Sequence, residues 1–208
     1  INSYYLNGES IPAGFMLNML SNLRHECGLL KVPFAVEWAE QYREITGKPL
    51  IIFAHHRDVI AGLSLPLSKN NRVSEITGST PSKERQEIVD SFQRGQIDIL
   101  LCSTMAVKEG LTLTKADTVL FIEREWVPSD EEQAEARIHR IGQDSDSVHS
   151  VYLSCINTID EHFDRVVEQK RQVVKAVVDG GDVEERKSLV TELVKRLKKE
   201  RNWREING

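Results

Sequence analysis

The stretch IDILLCSTMAVKEGLTLTKADTVLFI, residues 97–122, decides the fold. Ile97–Leu101 and Thr118–Ile122 are short, mostly apolar runs, the signature of strands buried on both faces. A polar, glycine-containing segment, 102–112, separates them. The pattern repeats outward. Leu50–Ala54, Val73–Ile76 and Val148–Leu153 read as further strands. Helices are expected between them: one around Asp58–Leu67, and one entered through Thr80 as N-cap and Pro81 at N1, with Ile88, Val89 and Phe92 inward. Another runs to about His139, opened by a Ser129/Glu132 capping box. Strand–helix alternation of this kind predicts an α/β fold, a parallel sheet with helices on both faces. Ligands of such sheets gather at the carboxyl ends of the strands, which singles out loops 54–58, 77–80, 102–112 and 123–130.

Helical segments flank this core. Met16, Met19, Leu20, Leu23, Cys27 and Leu30 keep the spacing of a buried helix face. Pro33 is expected to open a second helix carrying Ala35, Trp38, Ala39 and Tyr42 on one side, closed by Gly47 and Pro49. At the other end, Phe163, Val166, Val167, Val174 and Val177 share a helical period, which Gly180 and Gly181 interrupt. A last amphipathic helix carries Val190, Leu193, Val194 and Leu197 on one side, with Lys195, Arg196, Lys198, Lys199 and Arg201 crowded together. That run is either a solvated helix face or a phosphate-contacting surface. The expected division is 1–48 as helical lead-in, 49–156 as the sheet domain and 157–208 as helices bracing it.

The 208 residues, 40% hydrophobic and 28% charged, suffice for a packed core and argue against disorder. A net charge of −5 excludes a uniformly basic nucleic-acid coat but not a local basic groove. Cys27, Cys102 and Cys155 stand apart, with no CxxC pair, so reduced thiols in an intracellular protein are the plain reading. No apolar stretch is long enough for a membrane span, and no signal peptide opens the chain. The first residue is Ile1, as expected of a piece of something longer.

Chemistry concentrates in QAEARIHRIGQ, residues 133–143. Arg137 and Arg140, three apart at a helix end, leave on one face, and two guanidinium forks side by side suit a triphosphate. The same spacing also fits two surface arginines pairing with Glu132 or Glu135. Upstream lies STMAVKEGLTLTKAD at 103–117, and between the two Trp126-Val-Pro128. With Phe53-Ala-His-His56, Gly78-Ser-Thr80 and Arg85, these segments in this order resemble the C-terminal RecA-like lobe of superfamily-two helicase-like ATPases. Within them the Swi/Snf-type DNA translocases are the most similar, nearest to the fork-remodelling and strand-annealing branch. The resemblance covers about residues 20–178.

That resemblance implies a RecA-like sheet and a role for each matched residue. Arg137 and Arg140 would be the catalytic arginines sensing the γ-phosphate of ATP, Arg140 the finger proper; such an arginine is worth orders of magnitude in rate. Gly110 would bring backbone close to the nucleotide, and Gln133 would tie nucleotide state to the DNA surface. Ser79, Thr80, Ser103 and Thr104 would hydrogen-bond DNA phosphates. Trp126 would lie by the DNA track or pack in the core, and Lys108 would add a phosphate contact or face solvent. The chain departs from the family at Val107-Lys108, where two glycines are usual, and at Thr112 and Val127, where asparagine is usual.

A Walker A loop is absent: Gly47-Lys48 is followed by Pro49 and preceded at the required distance by Tyr42. Asp130-Glu131-Glu132 follows no strand directly and reads as helix-start acid rather than a magnesium site. His55-His56 has no third ligand at workable spacing, leaving a strand-end pair near the DNA face or plain structure. ATP and Mg2+ are therefore expected to be held mainly by an N-terminal RecA-like lobe of the same polypeptide. The expected function is the second motor lobe of an ATP-dependent double-stranded DNA translocase, with no membrane partner, nuclear if the host is eukaryotic and in the cytoplasm or nucleoid if it is bacterial or viral. Two alternatives stand beside it. An RNA-directed helicase lobe usually ends its last motif differently from HRIGQ, and a non-motor RecA-like interaction module would not need both arginines.

Overall fold

A computed structural model of the protein describes residues 13–106, 111–125, 127–138, 145 and 147–178. These divide into two compact units: residues 28–155, and residues 1–27 together with 156–208.

The 28–155 unit is built on five parallel strands: β1 (Leu50–Ala54), β2 (Val73–Ile76), β3 (Ile99–Ser103), β4 (Thr118–Phe121) and β5 (His149–Tyr152). Their order across the sheet is β2-β3-β1-β4-β5. β1 sits centrally, Ile52 opposite Leu101 on one side and opposite Leu120 on the other. β1, β3 and β4 are buried along their whole length, while the edge strands β2 and β5, Ile76 apart, are half-buried or exposed. That gradient follows from the sequence, because only the central strands carry apolar runs of three or more residues.

Alternate residues serve opposite layers. Leu50, Ile52, Ile99, Leu101 and Leu120 pack with Ala35 and Ala39 of α1 (Ala13–Thr46) and with Val59, Ile60, Leu63 and Leu67 of α2 (Arg57–Leu67). Ile51, Phe53, Leu100, Cys102, Val119 and Phe121 pack on the other side. Their partners there are Val89 and Phe92 of α3 (Ser82–Gln93) and Ala134 of α4 (Pro128–Glu135). Phe121 stacks between Phe53, 5.1 Å away, and Tyr152, 4.8 Å away. Each such side chain, fully buried, contributes about 1.5–3 kcal/mol.

In the other unit, α5 (Ile159–Val178) buries Ile159, Phe163, Val166 and Val167. The first residues of α1 bury Leu20, Arg24 and Cys27, and the Arg24 guanidinium lies 5.8 Å from the Phe163 ring centre.

Three local expectations are corrected. Pro33 does not open a second helix; α1 runs unbroken through it for 34 residues. Buried positions 20, 24, 27, 28, 31, 35 and 39 form one stripe in phase through residue 33, whose ring is exposed. Packing along the stripe therefore outweighs the roughly 3 kcal/mol cost of an interior proline. The stripe is also not the expected one. Leu23 and Leu30 are 43% and 65% exposed, while Arg24 and Lys31 are buried.

The helix starts differ as well. Pro81 is the N-cap of α3, and the Thr80 hydroxyl accepts from the Thr77 amide instead of capping the helix. α4 is capped by Val127 with Pro128 at N1, so Ser129 forms no capping box with Glu132. It ends at Glu135; His139 lies outside the described residues.

Candidate nucleotide and nucleic-acid interface

Four loops leave the carboxyl edge of the central strands, and buried polar side chains tie them together from behind. After β2, residues 77–80 form a hydroxyl cluster. The Thr80 amide bonds the Thr77 carbonyl at 3.1 Å, and the Thr77 and Ser79 hydroxyls lie 2.9 Å apart. Ser79 is exposed and Thr80 half-buried. Arg85, buried in α3, donates to the Thr80 carbonyl at 3.1 Å and to the Ala106 carbonyl at 3.4 Å, joining this loop to the one after β3.

Ser103 ends β3 and is 6% exposed; Thr104 is 1% exposed. The Thr104 hydroxyl donates to Glu125 and its amide to the Ala54 carbonyl. A DNA phosphate only accepts hydrogen bonds, and this hydroxyl has one proton, already given to Glu125. Thr104 is thus a tie between loops in this arrangement and not the surface contact that the resemblance implies.

Sequence reasoning missed the carboxylates that organise this edge. Glu123, 2% exposed, accepts the His55 and His56 amides at 2.9 and 3.0 Å, with its other oxygen 2.5 Å from His56 Nδ1. Glu125, also 2% exposed, holds Thr104 and lies 3.1 Å from His55 Nδ1. Glu131 is fully buried and takes Arg124 in a two-pronged pair at 2.8 and 2.9 Å, with the Glu125 amide on the same carboxylate. Arg124 in turn stacks 4.4 Å from the Tyr152 ring centre, and the Tyr152 hydroxyl donates to Glu135. The histidine pair is therefore bound by two glutamates from the end of β4. Among the described residues no group of three or more His, Cys, Asp or Glu side chains could hold a metal ion. The signal was the alternation Glu123-Arg124-Glu125 directly after a buried strand, where charge at successive positions calls for partners.

The two long motifs meet through the backbone. The Leu113 amide bonds the Arg137 carbonyl at 2.9 Å, so the end of the 103–117 segment lies against the turn that follows α4. Arg137 is half-buried there, and Gln133 is exposed on α4. Gly110, Lys108, Trp126 and Arg140 lie outside the described residues, so of the arginine pair only Arg137 is placed. No described helix is long and apolar enough to cross a membrane.

Comparison with known proteins gives this edge a context. The helicase conserved C-terminal domain matches residues 35–142, more than half of the chain. A SWI/SNF-related matrix-associated actin-dependent regulator of chromatin subfamily A-like protein 1 from Drosophila melanogaster is 39% identical over 132 residues. The match covers 62% of this chain and 17% of that protein. The DNA annealing helicase and endonuclease ZRANB3 of Mus musculus is 29% identical over 167 residues, 79% of this chain and 16% of that protein. The chain thus spans about one sixth of the length of these relatives. Among solved structures, the C-terminal part of the Fun30 ATPase domain superposes with a TM-score of 0.61 at 26% identity, covering 65% of this chain and 44% of that one. A RecA-like parallel sheet with SWI/SNF-related relatives is what the sequence led us to expect, and the chain belongs to the helicase conserved C-terminal domain family.

Proposed function

We propose that this chain is the second motor lobe of an ATP-driven double-stranded DNA translocase, close in kind to the annealing helicases among its relatives. The observation that carries the proposal is the bond from the Leu113 amide to the Arg137 carbonyl, which joins the two motif segments. An arginine anchored through its own backbone to the 103–117 segment suits a group that meets nucleotide in a fixed position.

ATP and Mg2+ bind between this lobe and an N-terminal RecA-like lobe elsewhere in the polypeptide, which supplies the phosphate cradle and the metal ligands. Mg2+ held there would offset the negative charge of the phosphates. This chain contributes Arg137 and Arg140 toward the γ-phosphate, with Gly110 and Gln133 at the nucleotide rim. Ser79, Thr80, Ser103, Lys108 and Trp126 form its DNA side. Contacts of this type go to the backbone and carry little sequence preference. The relatives act on chromatin and DNA by name, and a nuclear location fits a motor of that kind.

The test is DNA-stimulated ATP hydrolysis by the full-length protein. Arg140→Ala is expected to lower kcat by about 10³-fold, within the range of arginine fingers, while duplex DNA binding persists. The 208-residue chain alone is expected to hydrolyse no ATP above background. An unchanged rate in the variant, or robust turnover by the isolated chain, refutes the motor reading. Stronger competition by duplex RNA than by duplex DNA transfers it to the RNA-directed class.

A further inference from the structure

Arg57, the first residue of α2, takes no part in the roles assigned above. Its side chain is exposed on the carboxyl edge of the sheet. The guanidinium reaches across from the β1–α2 turn and donates through Nη2 to the Ser79 hydroxyl at 3.3 Å. Among the described residues no carboxylate forms an ion pair with it. An arginine that has a carboxylate within reach normally takes it, since the charged pair is the stronger bond. Here the one partner among the described residues is a neutral hydroxyl, that of the exposed Ser79, itself bonded to Thr77. The bond orients the guanidinium toward this loop, and among the described residues its other N–H groups have no protein partner.

Both ends of this arrangement are rigidly based. The β1–α2 turn is held by Glu123, which takes the His55 and His56 amides. The 77–80 loop is held by Arg85 through the Thr80 carbonyl. A planar, always-charged fork presented beside the exposed Ser79 hydroxyl from a fixed backbone is a ligand set for a phosphodiester.

We infer that Arg57 is a DNA-backbone contact: with Ser79 it grips one phosphate of the duplex, extending the DNA surface of this lobe from the 77–80 loop to the start of α2. The inference rests on the proposed motor function and adds to it a residue that none of the shared motifs contains. Asp58 beside it does not compete, because its carboxylate accepts the Val59 amide in the first helical turn.

The experiment is equilibrium binding of fluorescently labelled duplex DNA to the full-length protein over a series of salt concentrations, with DNA-stimulated ATPase in parallel. Wild type, Arg57→Ala, Arg57→Lys and Arg57→Glu are compared. Arg57→Ala is expected to weaken binding about fivefold and to reduce the slope of log affinity against log salt by about 0.9, the loss of one phosphate contact. The DNA concentration giving half-maximal ATPase rises by the same factor, and kcat at saturating DNA is unchanged. Arg57→Lys keeps the slope, and Arg57→Glu weakens binding further than Arg57→Ala. Arg57 is exposed, so the melting temperature of every variant stays near that of wild type. If Arg57→Ala matches wild type in affinity and slope, or lowers kcat with DNA affinity intact, the assignment is overturned while the motor reading survives. If wild type neither binds duplex DNA nor is stimulated by it, both fall together.

Discussion

The two edges of the one sheet handle charge in opposite ways. At the amino edge, Asp98 takes Arg43 and Arg72, both at 2.8 Å, and Asp117 takes Lys48 at 2.6 Å. Two of the cations reach solvent, the Lys48 and Arg72 side chains being 56% and 61% exposed, while Asp117 is buried and Arg43 and Asp98 are 16% and 17% exposed. At the carboxyl edge, Glu123, Glu125 and Glu131 are all at or below 2% exposure and hold histidines, a threonine and an arginine. Surface pairs contribute little and can be lost singly, whereas a buried carboxylate fixes its partners because leaving any of them unbonded is costly. The edge that has only to close the fold uses pairs in which Lys48 and Arg72 reach into solvent. The edge that must present loops in a fixed geometry uses dry ones. The outward donors Arg57 and Ser79 stand in front of this buried layer, which acts as their support.

The largest expected effect tests that contrast directly. Glu131→Ala leaves the Arg124 guanidinium, 8% exposed, without its carboxylate. Breaking a buried pair from one side costs about 3–5 kcal/mol, here toward the lower end since Arg124 keeps its stacking on Tyr152. Urea unfolding of the chain reads this as a shift in midpoint at constant slope. Glu131→Gln, which retains volume and an acceptor oxygen, loses less. A cost below about 1 kcal/mol for Glu131→Ala puts the carboxyl edge in the same class as the amino edge.

How much of this was legible in the sequence follows the same division. The central strands were readable because each carries an unbroken apolar run, Leu50–Ala54, Ile99–Cys102 and Val119–Phe121. The motif segments were readable by their order. The buried face of α1 was not. Leu23 and Leu30 have the right spacing, yet the helix turns Arg24 and Lys31 inward, and Lys31 does so to reach the Leu153 carbonyl at 3.1 Å. That partner is 122 residues away, and no local pattern announces it. The glutamate ties are equally non-local. Thr104 meets Glu125 across 21 positions and His56 meets Glu123 across 67. A hydroxyl at a strand end looks the same in sequence whether it faces a phosphate or a buried carboxylate. Pro33 was misread because an interior proline is tolerated when a continuous buried stripe holds the helix on both sides of it.

An intermediate effect comes from Gly28, which lies over the buried layer. A Cβ there meets the Cδ and Oε1 of Glu123 at 3.0 Å and a methyl of Val59 at 3.1 Å. Glu123 cannot yield easily, being held by two amides and an imidazole. Gly28→Ala gains about 1 kcal/mol of helix propensity but is expected to lose more to the clash, a net cost of about 1–2 kcal/mol. Thermal melting measures the sign. A net stabilisation means that Glu123 moves freely, and the rigid support inferred for the β1–α2 turn fails with it.

The smallest effect belongs to the amino edge and appears in acid. Hydrogen bonds from Arg72, with the charge of Arg43 beside it, hold the Asp98 carboxyl down at about 2 despite partial burial. Its pKa in the unfolded chain is the ordinary one near 4. A carboxyl depressed by folding stabilises the native state fully above its unfolded value, and that contribution disappears as pH falls from about 4 through about 2. Asp98→Asn is therefore expected to be less stable than wild type at neutral pH by no more than about 1 kcal/mol, since Arg72 is well exposed and solvent screens the pair. The two stability curves converge below about pH 2. Asp117, where burial is outweighed by hydrogen bonds from Lys48, Thr118 and Ser145, is also held low and titrates in the acid range in both proteins. The difference between the curves, and not the wild-type curve alone, isolates Asp98. A gap that persists unchanged through pH 2 means that the aspartate contributes by shape and hydrogen bonding rather than by charge, which removes the amino edge as the wet, pairwise counterpart of the buried one.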